Sequence, residues 1–285
     1  MGKKLTIYMI DGTEYGPRIA EIGNWVGKAF YSPRTSISKY INRPEFDNPG
    51  IYCLKSNSEN DAYQEKIYIG EAENVRKRIK QHLQNSKKEF VEMIFFISKD
   101  DLLTKTQIKY IEARLVQLSI EAKSAEIENG NSPSIPTLHE ADISDMEYFL
   151  EQIKLILPVM GFKFLISTTV KQTEDIQGTE KNNQIFRIST NKIKANLYVN
   201  SQGFIVTKGS KAKKILSKSI TSTYIKLRSK LIETKILEDK GEFFEFIEDT
   251  VFSSPSAASN MILGRNSNGL TEWVTEDGKP LKEVE

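Results

Sequence analysis

Two tripeptides restrict the fold of this chain more than any other feature of its sequence. Gly50-Ile51-Tyr52 and Tyr68-Ile69-Gly70 place two tyrosines sixteen positions apart, each beside an isoleucine that favours an extended strand. The polar stretch 55–64 between them predicts the loop of a hairpin. Either tripeptide alone would most often only fill a strand position. Together they predict two paired strands that each carry one tyrosine and one glycine.

A short basic helix is predicted after the second tripeptide. Asn74 can cap its start, and Val75 and Ile79 begin an apolar stripe at four-residue spacing. Arg78 and His82 lie one turn apart beside this stripe, so both can project to the same side of the sheet. The planar fork of an arginine suits a phosphate better than a lysine ammonium does. A lone histidine more often has a structural role, and its spacing from Arg78 makes His82 a candidate for chemistry.

Glu112 is the carboxylate best placed to hold a metal ion. A strand predicted over 92–97 precedes a helix over 105–122, and Glu112 lies at the edge of the apolar stripe of that helix. An acid at the core boundary can reach a cleft, and Mg²⁺ or Mn²⁺ prefers carboxylate oxygens as ligands. A helix-edge glutamate paired with Lys109 is the structural alternative. The residues alone leave both interpretations open.

In this order and spacing, the two tripeptides, Arg78 and the glutamate helix resemble the GIY-YIG endonuclease family over about residues 49–130. The resemblance implies an α+β fold with a small, three-stranded, mainly antiparallel sheet flanked by helices. It also implies metal-dependent hydrolysis of phosphodiester bonds in nucleic acid. The spacing of the tripeptides exceeds the family's commonest spacing through extra residues around 56–61, which a hairpin loop can absorb. The asparagine that closes the site in many members matches Asn129 best, with Asn131 as the alternative.

The resemblance implies a role for each candidate residue. Glu112 would hold the Mg²⁺ or Mn²⁺ ion, and Arg78 would contact the scissile phosphate, with His82 one turn later. Tyr52 would help to activate the attacking water, and Tyr68 would orient the water or the phosphate. An unperturbed tyrosine titrates at about pH 10, so Tyr52 could act as a base only if nearby positive charge favoured its ionised form.

A polar run over 167–184 predicts a linker between two domains. Before it, residues 1–48 are interpreted as a β-rich extension and residues 49–166 as the nuclease-like domain. After it, residues 185–285 predict a second α+β domain. Its Ser-Pro-Ser-Ala-Ala and Asn-Gly motifs ahead of Trp273 resemble, less specifically, a domain of unknown function that is fused to GIY-YIG nucleases. We expect this domain to bind DNA and to position the nuclease, with Trp273 either at the DNA or in the core.

The distribution of charge predicts where nucleic acid binds. The net charge is only +2, yet residues 181–232 contain twelve Lys or Arg and no Asp or Glu. Such a segment attracts phosphates in a salt-dependent way, although a solvated lysine-rich face without a partner would look the same. A second, shorter basic run overlaps the helix of Arg78. The predicted nucleic-acid contacts are Arg76, Lys77, Lys80, Lys211, Lys213, Lys214 and Arg265.

These features predict a DNA endonuclease that depends on Mg²⁺ or Mn²⁺, with RNA as the alternative substrate. The competing interpretation is a catalytically inactive nucleic-acid-binding or interaction protein that keeps the fold. No apolar run reaches the roughly 18 residues of a membrane span, and the start of the chain lacks the apolar core of a secretory signal. The single cysteine, Cys53, fits a reducing cytoplasm. Cutting both strands with one site per chain would favour a homodimer.

Overall fold

The computed structural model of the protein describes residues 2–57, 65–85, 89–100, 103–130, 133–169, 184–190, 192–200 and 202–284. The chain divides into two compact units, Met1–Ile166 and Ser167–Glu285. Most of the predicted linker, 167–184, lies outside the described residues.

A single sheet runs through the first unit. Within the described residues its strands are β1 (Leu5–Met9), β2 (Arg18–Ile22), β3 (Gly27–Pro33), β4 (Gly50–Asn57), β5 (Glu65–Ala72), β6 (Glu92–Ser98) and β7 (Glu126–Ile127). Their order across the sheet is β1-β2-β3-β6-β4-β5-β7. Neighbouring strands are antiparallel, except that β5 and β7 are parallel.

The expectation of a small three-stranded sheet is wrong. The three predicted strands form the centre of the sheet, β6-β4-β5, and β1 to β3 extend it on one side. Strand β3 pairs with β6 along its whole length, from Gly27 opposite Ser98 to Pro33 opposite Glu92. A sheet that ended at β6 would expose a row of unpaired backbone groups, and β3 covers that edge. The residues interpreted as an extension therefore complete the sheet.

Helices pack on both faces of this sheet. They are α1 (Arg34–Tyr40), α2 (Val75–Gln84), α3 (Lys105–Ala122) and α4 (Glu140–Val159), with a 3₁₀ turn over Pro44–Asp47. The predicted bounds of α3 are confirmed, and the predicted cap of α2 is present because the Asn74 side chain accepts the Lys77 N–H. Thr104 and Gln107 form a capping box that starts α3.

Alternation of side chains along β4 separates two apolar cores. Ile51 and Cys53 belong to the core that contains residues of α3 and α4. Tyr52 belongs to the other core, together with Val75 and Ile79 of α2. The first tyrosine and helix α2 therefore lie on the same face of the sheet.

The second unit is also α+β. Its described strands are β8 (Phe186–Ser189), β9 (Lys194–Asn200), β10 (Gly203–Val206), β11 (Lys211–Lys213), β12 (Leu237–Asp239), β13 (Phe243–Phe246) and β14 (Thr250–Phe252). Its described helices are α5 (Ser222–Glu233), α6 (Pro255–Leu263) and α7 (Gly269–Glu272). The strands form two sheets, β14-β10-β9-β8 and β11-β13-β12.

Trp273 is a core residue of the second unit rather than an exposed contact. Its side chain is fully buried, and its ring N–H donates to the carbonyl oxygen of Pro255 at 3.0 Å. The indole therefore packs in the core of this unit with its polar group satisfied. Separately, none of the helices in the described part of the chain is both long and apolar enough to cross a membrane.

Candidate active site

The glycines of the two tripeptides are required by close approaches in the sheet. Tyr52 on β4 lies opposite Gly70 on β5, and its phenol crosses the glycine so closely that a Cβ there would collide with the hydroxyl. A Cβ on Gly50 would collide with the backbone oxygen of Phe96 on β6. Only glycine fits at either position without displacing a neighbour. Gly70 thus sets the position of the Tyr52 phenol.

The Tyr52 phenol connects α2 to the sheet. The Nε–H of Arg78 donates to the Tyr52 hydroxyl oxygen at 3.0 Å, and Nε2 of His82 lies 2.8 Å from the same oxygen. The Tyr68 ring lies 6.1 Å from the Tyr52 ring and 5.5 Å from the His82 ring, measured between ring centroids. Tyr68 also interacts with Arg78. The structure brings these four predicted residues together on one face of the sheet.

Burial controls the charge state of this cluster. It raises the pKa of Tyr52 well above its usual value, and the neighbouring Tyr68 raises it further, whereas Arg78 lowers it by a smaller amount. Tyr52 is therefore a neutral phenol at physiological pH. Its hydrogen bond to Arg78 raises the pKa of the guanidinium, which stays charged. The positive charge beside Tyr52 does not suffice to ionise it.

Glu112 projects from α3 toward the same end of β5. Its carboxylate is half-buried and accepts the backbone N–H of Glu71. Burial, and then the charge of Glu71, raises the pKa of Glu112 to about 7. The carboxylate therefore does not point into bulk solvent. Arg78 donates to the Tyr52 phenol, and its charge lowers the pKa of Glu112.

Glu71 is a site residue that sequence reasoning missed. It directly follows Gly70, is half-buried, and lies near enough to Glu112 to raise the pKa of that carboxyl. Alternate residues of β5, Ile67 and Ile69, face the core that contains α3, and Glu71 continues their side of the strand. In the sequence, Glu71 stands out as an acidic residue that continues the alternation of Ile67 and Ile69 at the end of β5, and this position could have indicated a second carboxylate near α3.

The donor set fits a hard divalent cation. No group of three or more His, Cys, Asp or Glu within the described ranges could hold a metal ion by itself. Glu112 and Glu71 offer two neighbouring carboxylates. Mg²⁺ commonly keeps several waters and binds through one or two carboxylates together with substrate phosphate, whereas structural zinc needs four protein ligands. The residues present suit Mg²⁺ or Mn²⁺ and not a structural zinc ion.

Asn129 braces β5 from its outer edge. Its side-chain oxygen accepts the Ile69 N–H at 3.1 Å, and its side-chain N–H₂ donates to the Ile69 carbonyl at 2.8 Å. Both amide groups therefore pair with the backbone between Tyr68 and Gly70, beyond the end of β7. Asn131, the alternative candidate, lies outside the described residues.

Basic residues of α2 differ in what they contact. The Arg76 guanidinium donates to the carbonyl oxygens of Ile41 and Arg43 and pairs with Asp47 at 2.8 Å, so it ties α2 to the segment before β4. Lys77 and Lys80 are exposed on the same helix.

In the second unit, acidic residues pair with or lie opposite several of the predicted basic contacts. Lys214 pairs with Asp239 at 2.7 Å, and Arg265 pairs with Glu272 at 2.7 Å. Lys211 lies opposite Glu245 in the β11–β13 pairing. The acid-free stretch of sequence is therefore not an acid-free surface. Lys213 is exposed.

Comparisons with known families match both units. Residues 48–126 match the GIY-YIG catalytic domain, and residues 186–285 match a domain of unknown function, DUF4357. The chain therefore contains a region that matches the GIY-YIG catalytic domain, a nuclease family, followed by a region that matches this C-terminal domain. No curated protein and no solved structure matches the chain significantly.

Proposed function

We propose that the protein is a metal-dependent endonuclease that hydrolyses phosphodiester bonds in DNA, with residues 185–285 assisting substrate binding. The observation that carries this proposal is the position of Arg78. Its guanidinium donates to the Tyr52 phenol at 3.0 Å, and its charge lowers the pKa of Glu112, so one phosphate-binding group interacts with both the water-activating and the metal-binding candidate. The GIY-YIG match over 48–126 supports the same class of chemistry.

Tyr52 and His82 supply a route for the proton of the attacking water. Arginine has no acceptor, so the Tyr52 oxygen accepts from Arg78; in the Nδ1–H tautomer of His82, the Tyr52 hydroxyl donates to His82 Nε2. A phenol with a raised pKa is a poor base alone. As Tyr52 takes a proton from the water, its original proton passes to His82. The water oxygen then attacks phosphorus, the bond to the leaving oxygen breaks, and solvent reprotonates that oxygen.

Arg78 and Tyr68 act on the phosphate. The Arg78 guanidinium has five N–H donors, and its hydrogen bond to Tyr52 leaves others for the oxygens of the scissile phosphate. Its charge offsets the negative charge that grows on those oxygens. Tyr68, beside both Tyr52 and His82, orients the water or the phosphate.

Glu112, with Glu71 beside it, would hold the metal ion. When bound, Mg²⁺ or Mn²⁺ offsets charge on the phosphoryl and leaving oxygens. The pKa of Glu112, raised to about 7, means that binding the ion also releases a proton from this carboxyl. Asn129 is a positioning residue, since both of its amide groups hold the strand that carries Tyr68.

The test is cleavage of purified plasmid DNA and single-stranded DNA with Mg²⁺ present or chelated. We expect Mg²⁺-dependent cleavage that falls by about 100- to 1,000-fold in Glu112→Gln, Arg78→Ala and Tyr52→Phe. Glu121→Gln, on the same helix, is the matched control and should cleave normally. Cleavage that survives all three changes would refute the site. Salt-sensitive binding without cleavage would instead identify the inactive nucleic-acid-binding protein, and cleavage of RNA alone would change the substrate.

We also propose that the protein acts in the reducing cytoplasm, because Cys53 is a buried free thiol in the core. Cutting both DNA strands with one site per chain requires two chains or two successive events. A pair of chains formed on the DNA would satisfy this need, and the stoichiometry of the complex measured by light scattering would test it.

A further inference from the structure

A cleft of about 490 Å³ opens in the first unit among residues that the proposed cleavage does not use. Its walls are the turn before β2, the ends of β3 and β6, and the first turn of α1. The side chains that matter for chemistry are Asp11, Tyr15, Arg18, Tyr31, Ser36 and Glu92. Small-molecule sites commonly have volumes of about 300–1,000 Å³. The cleft has the size of such a site.

Arg18 offers the cleft an unused hydrogen-bond donor. Its guanidinium lies 5.0 Å from the centroid of the Tyr31 ring, and another of its nitrogens donates to the Glu14 carbonyl oxygen. Its Nε–H is buried, and no atom of the described residues accepts a hydrogen bond from it. Buried donors without an acceptor are rare in folded proteins, so a side chain that lines the cleft and keeps one indicates that a ligand or water accepts from it when the guanidinium turns toward the cleft.

Asp11 offers the complementary acceptor. Its carboxylate accepts the backbone N–H of Thr13 at 3.1 Å and the Thr13 hydroxyl at 2.9 Å. These bonds lower its pKa, so the group is ionised at neutral pH. A Cβ on Gly16 would collide with this carboxylate, so the glycine lets the turn fold tightly around it. Asp11 is thus a fixed, exposed negative charge at the cleft.

Tyr15 supplies an aromatic surface at the cleft. Its side chain is 80% exposed, so its ring is accessible to a ligand at the cleft. By contrast, the Tyr31 hydroxyl donates to Glu92 at 2.9 Å, and Glu92 pairs with Lys55, so these groups satisfy one another. The groups left for a ligand are the Tyr15 ring, the Arg18 donor and the Asp11 acceptor.

We propose that this cleft binds a nucleobase that carries an exocyclic amine, namely adenine, guanine or cytosine. The base would stack on Tyr15, accept from Arg18 Nε–H through a ring nitrogen or carbonyl, and donate its amine to Asp11. Carboxylates accept from base amines, and arginine donates to base acceptors. Two carboxylates at the cleft, Asp11 and Glu92, disfavour a phosphate group in the same place. The base could belong to a free nucleotide or to a nucleotide extruded from a strand.

Equilibrium binding of AMP, GMP, CMP and UMP to the full chain tests the proposal. We expect saturable binding of the three amine-bearing nucleotides and binding of UMP weaker by about tenfold or more. Asp11→Asn should remove that preference. Tyr15→Ala should weaken the binding of every nucleotide by about 5- to 100-fold. Both residues are exposed, so both variants should fold.

Two controls make the result specific. Tyr8→Ala removes another tyrosine, 60% exposed on β1, and should change nothing. Glu112→Gln should also leave nucleotide binding intact, which separates this site from the proposed cleavage. An oligonucleotide should displace the bound nucleotide, in a way that depends on Tyr15 and Asp11, if the base comes from a strand, and should not compete if the site takes only free nucleotides. The proposal is overturned if neither the free nucleotides nor the oligonucleotide bind saturably. It is also overturned if Tyr15→Ala and Asp11→Asn leave binding unchanged.

Discussion

At the scale of single residues, Gly70 shows how an absent side chain organises the site. The Tyr52 phenol occupies the space where a Cβ of Gly70 would stand, and Arg78 and His82 both contact the phenol oxygen. Displacing the Tyr52 oxygen would therefore disturb the phenol itself and its contacts with Arg78 and His82. The glycine is part of the site although it performs no chemistry.

Gly70→Ala tests this role. We expect the added methyl group to push the phenol away, with a loss of about 1–3 kcal/mol in the free energy of unfolding from overpacking. Single-turnover cleavage should fall more steeply than this destabilisation explains, because the hydrogen bonds to Arg78 and His82 lengthen. Gly23→Ala is the matched control, since nothing lies within 4 Å of its Cβ position. Equal behaviour of the two variants would contradict the role given to Gly70.

The pKa of Glu112, raised to about 7 from its usual 4.5, predicts a pH dependence. In the metal-free protein the folded state binds this proton more tightly than the unfolded state does. The contribution of the protonated Glu112 to the free energy of unfolding is therefore fully present below about pH 4.5 and is lost as the pH rises through about 7. Mg²⁺ requires the ionised carboxylate, so we expect thermal stabilisation by Mg²⁺ to be larger at pH 8 than at pH 6.

Glu71→Gln separates the causes of this shift. Removing the neighbouring charge should lower the pKa of Glu112 and move the onset of Mg²⁺ stabilisation to lower pH, while weakening Mg²⁺ binding at pH 8 if Glu71 is a ligand. Differential scanning fluorimetry across pH measures both effects without an activity assay. An onset that does not move would show that burial alone sets the pKa.

At the scale of elements, the sequence predicted what local periodicity and caps encode. Helices α2 and α3 carry apolar stripes and side-chain caps, and both form where expected. The pairing of β6 with β3 was not predicted, because it joins residues far apart in sequence. An alternating apolar pattern identifies a strand but does not indicate which other strand pairs with it. Tyr52, Arg78 and Glu112 were predicted from the spacing of the motifs together with the family resemblance, and their roles stay predictions. Glu71 was missed because its relation to Glu112 depends on how α3 packs on β5.

Asn129 tests whether bracing of one strand supports the site. Asn129→Ala leaves the Ile69 N–H and carbonyl without these partners, and we expect a loss of about 1–3 kcal/mol in the free energy of unfolding. Asn129→Asp keeps the acceptor but not the donor and should be intermediate. Faster hydrogen exchange at the Ile69 amide would accompany reduced cleavage. Unchanged exchange with lost cleavage would instead indicate direct contact of Asn129 with the substrate.

At the scale of the whole molecule, folding brings acidic residues close to a lysine-rich stretch that contains none in sequence. The stretch 181–232 has no acids in sequence, yet Asp239 and Glu245 approach it in space. The positive field of the second unit is therefore weaker than the sequence suggests, and its lysines differ in how far neighbouring acids neutralise them. Lys213 is exposed and has no ion-pair partner among the residues that the structure describes, whereas Lys214 pairs with Asp239.

This difference predicts a ranking in the salt dependence of DNA binding. Each phosphate contact contributes about 0.9 to the slope of log K against log salt, so Lys213→Gln should flatten the slope by up to about 0.9 and Lys214→Gln by less. Changing Lys211, Lys213 and Lys214 together should flatten it further. Fluorescence anisotropy with the Glu112→Gln protein measures binding without cleavage, and Lys99→Gln, an exposed lysine of the first unit, is the control. A slope that the triple change leaves unaltered would remove these three lysines from the DNA-binding surface, because their phosphate contacts cannot be lost without releasing fewer counterions.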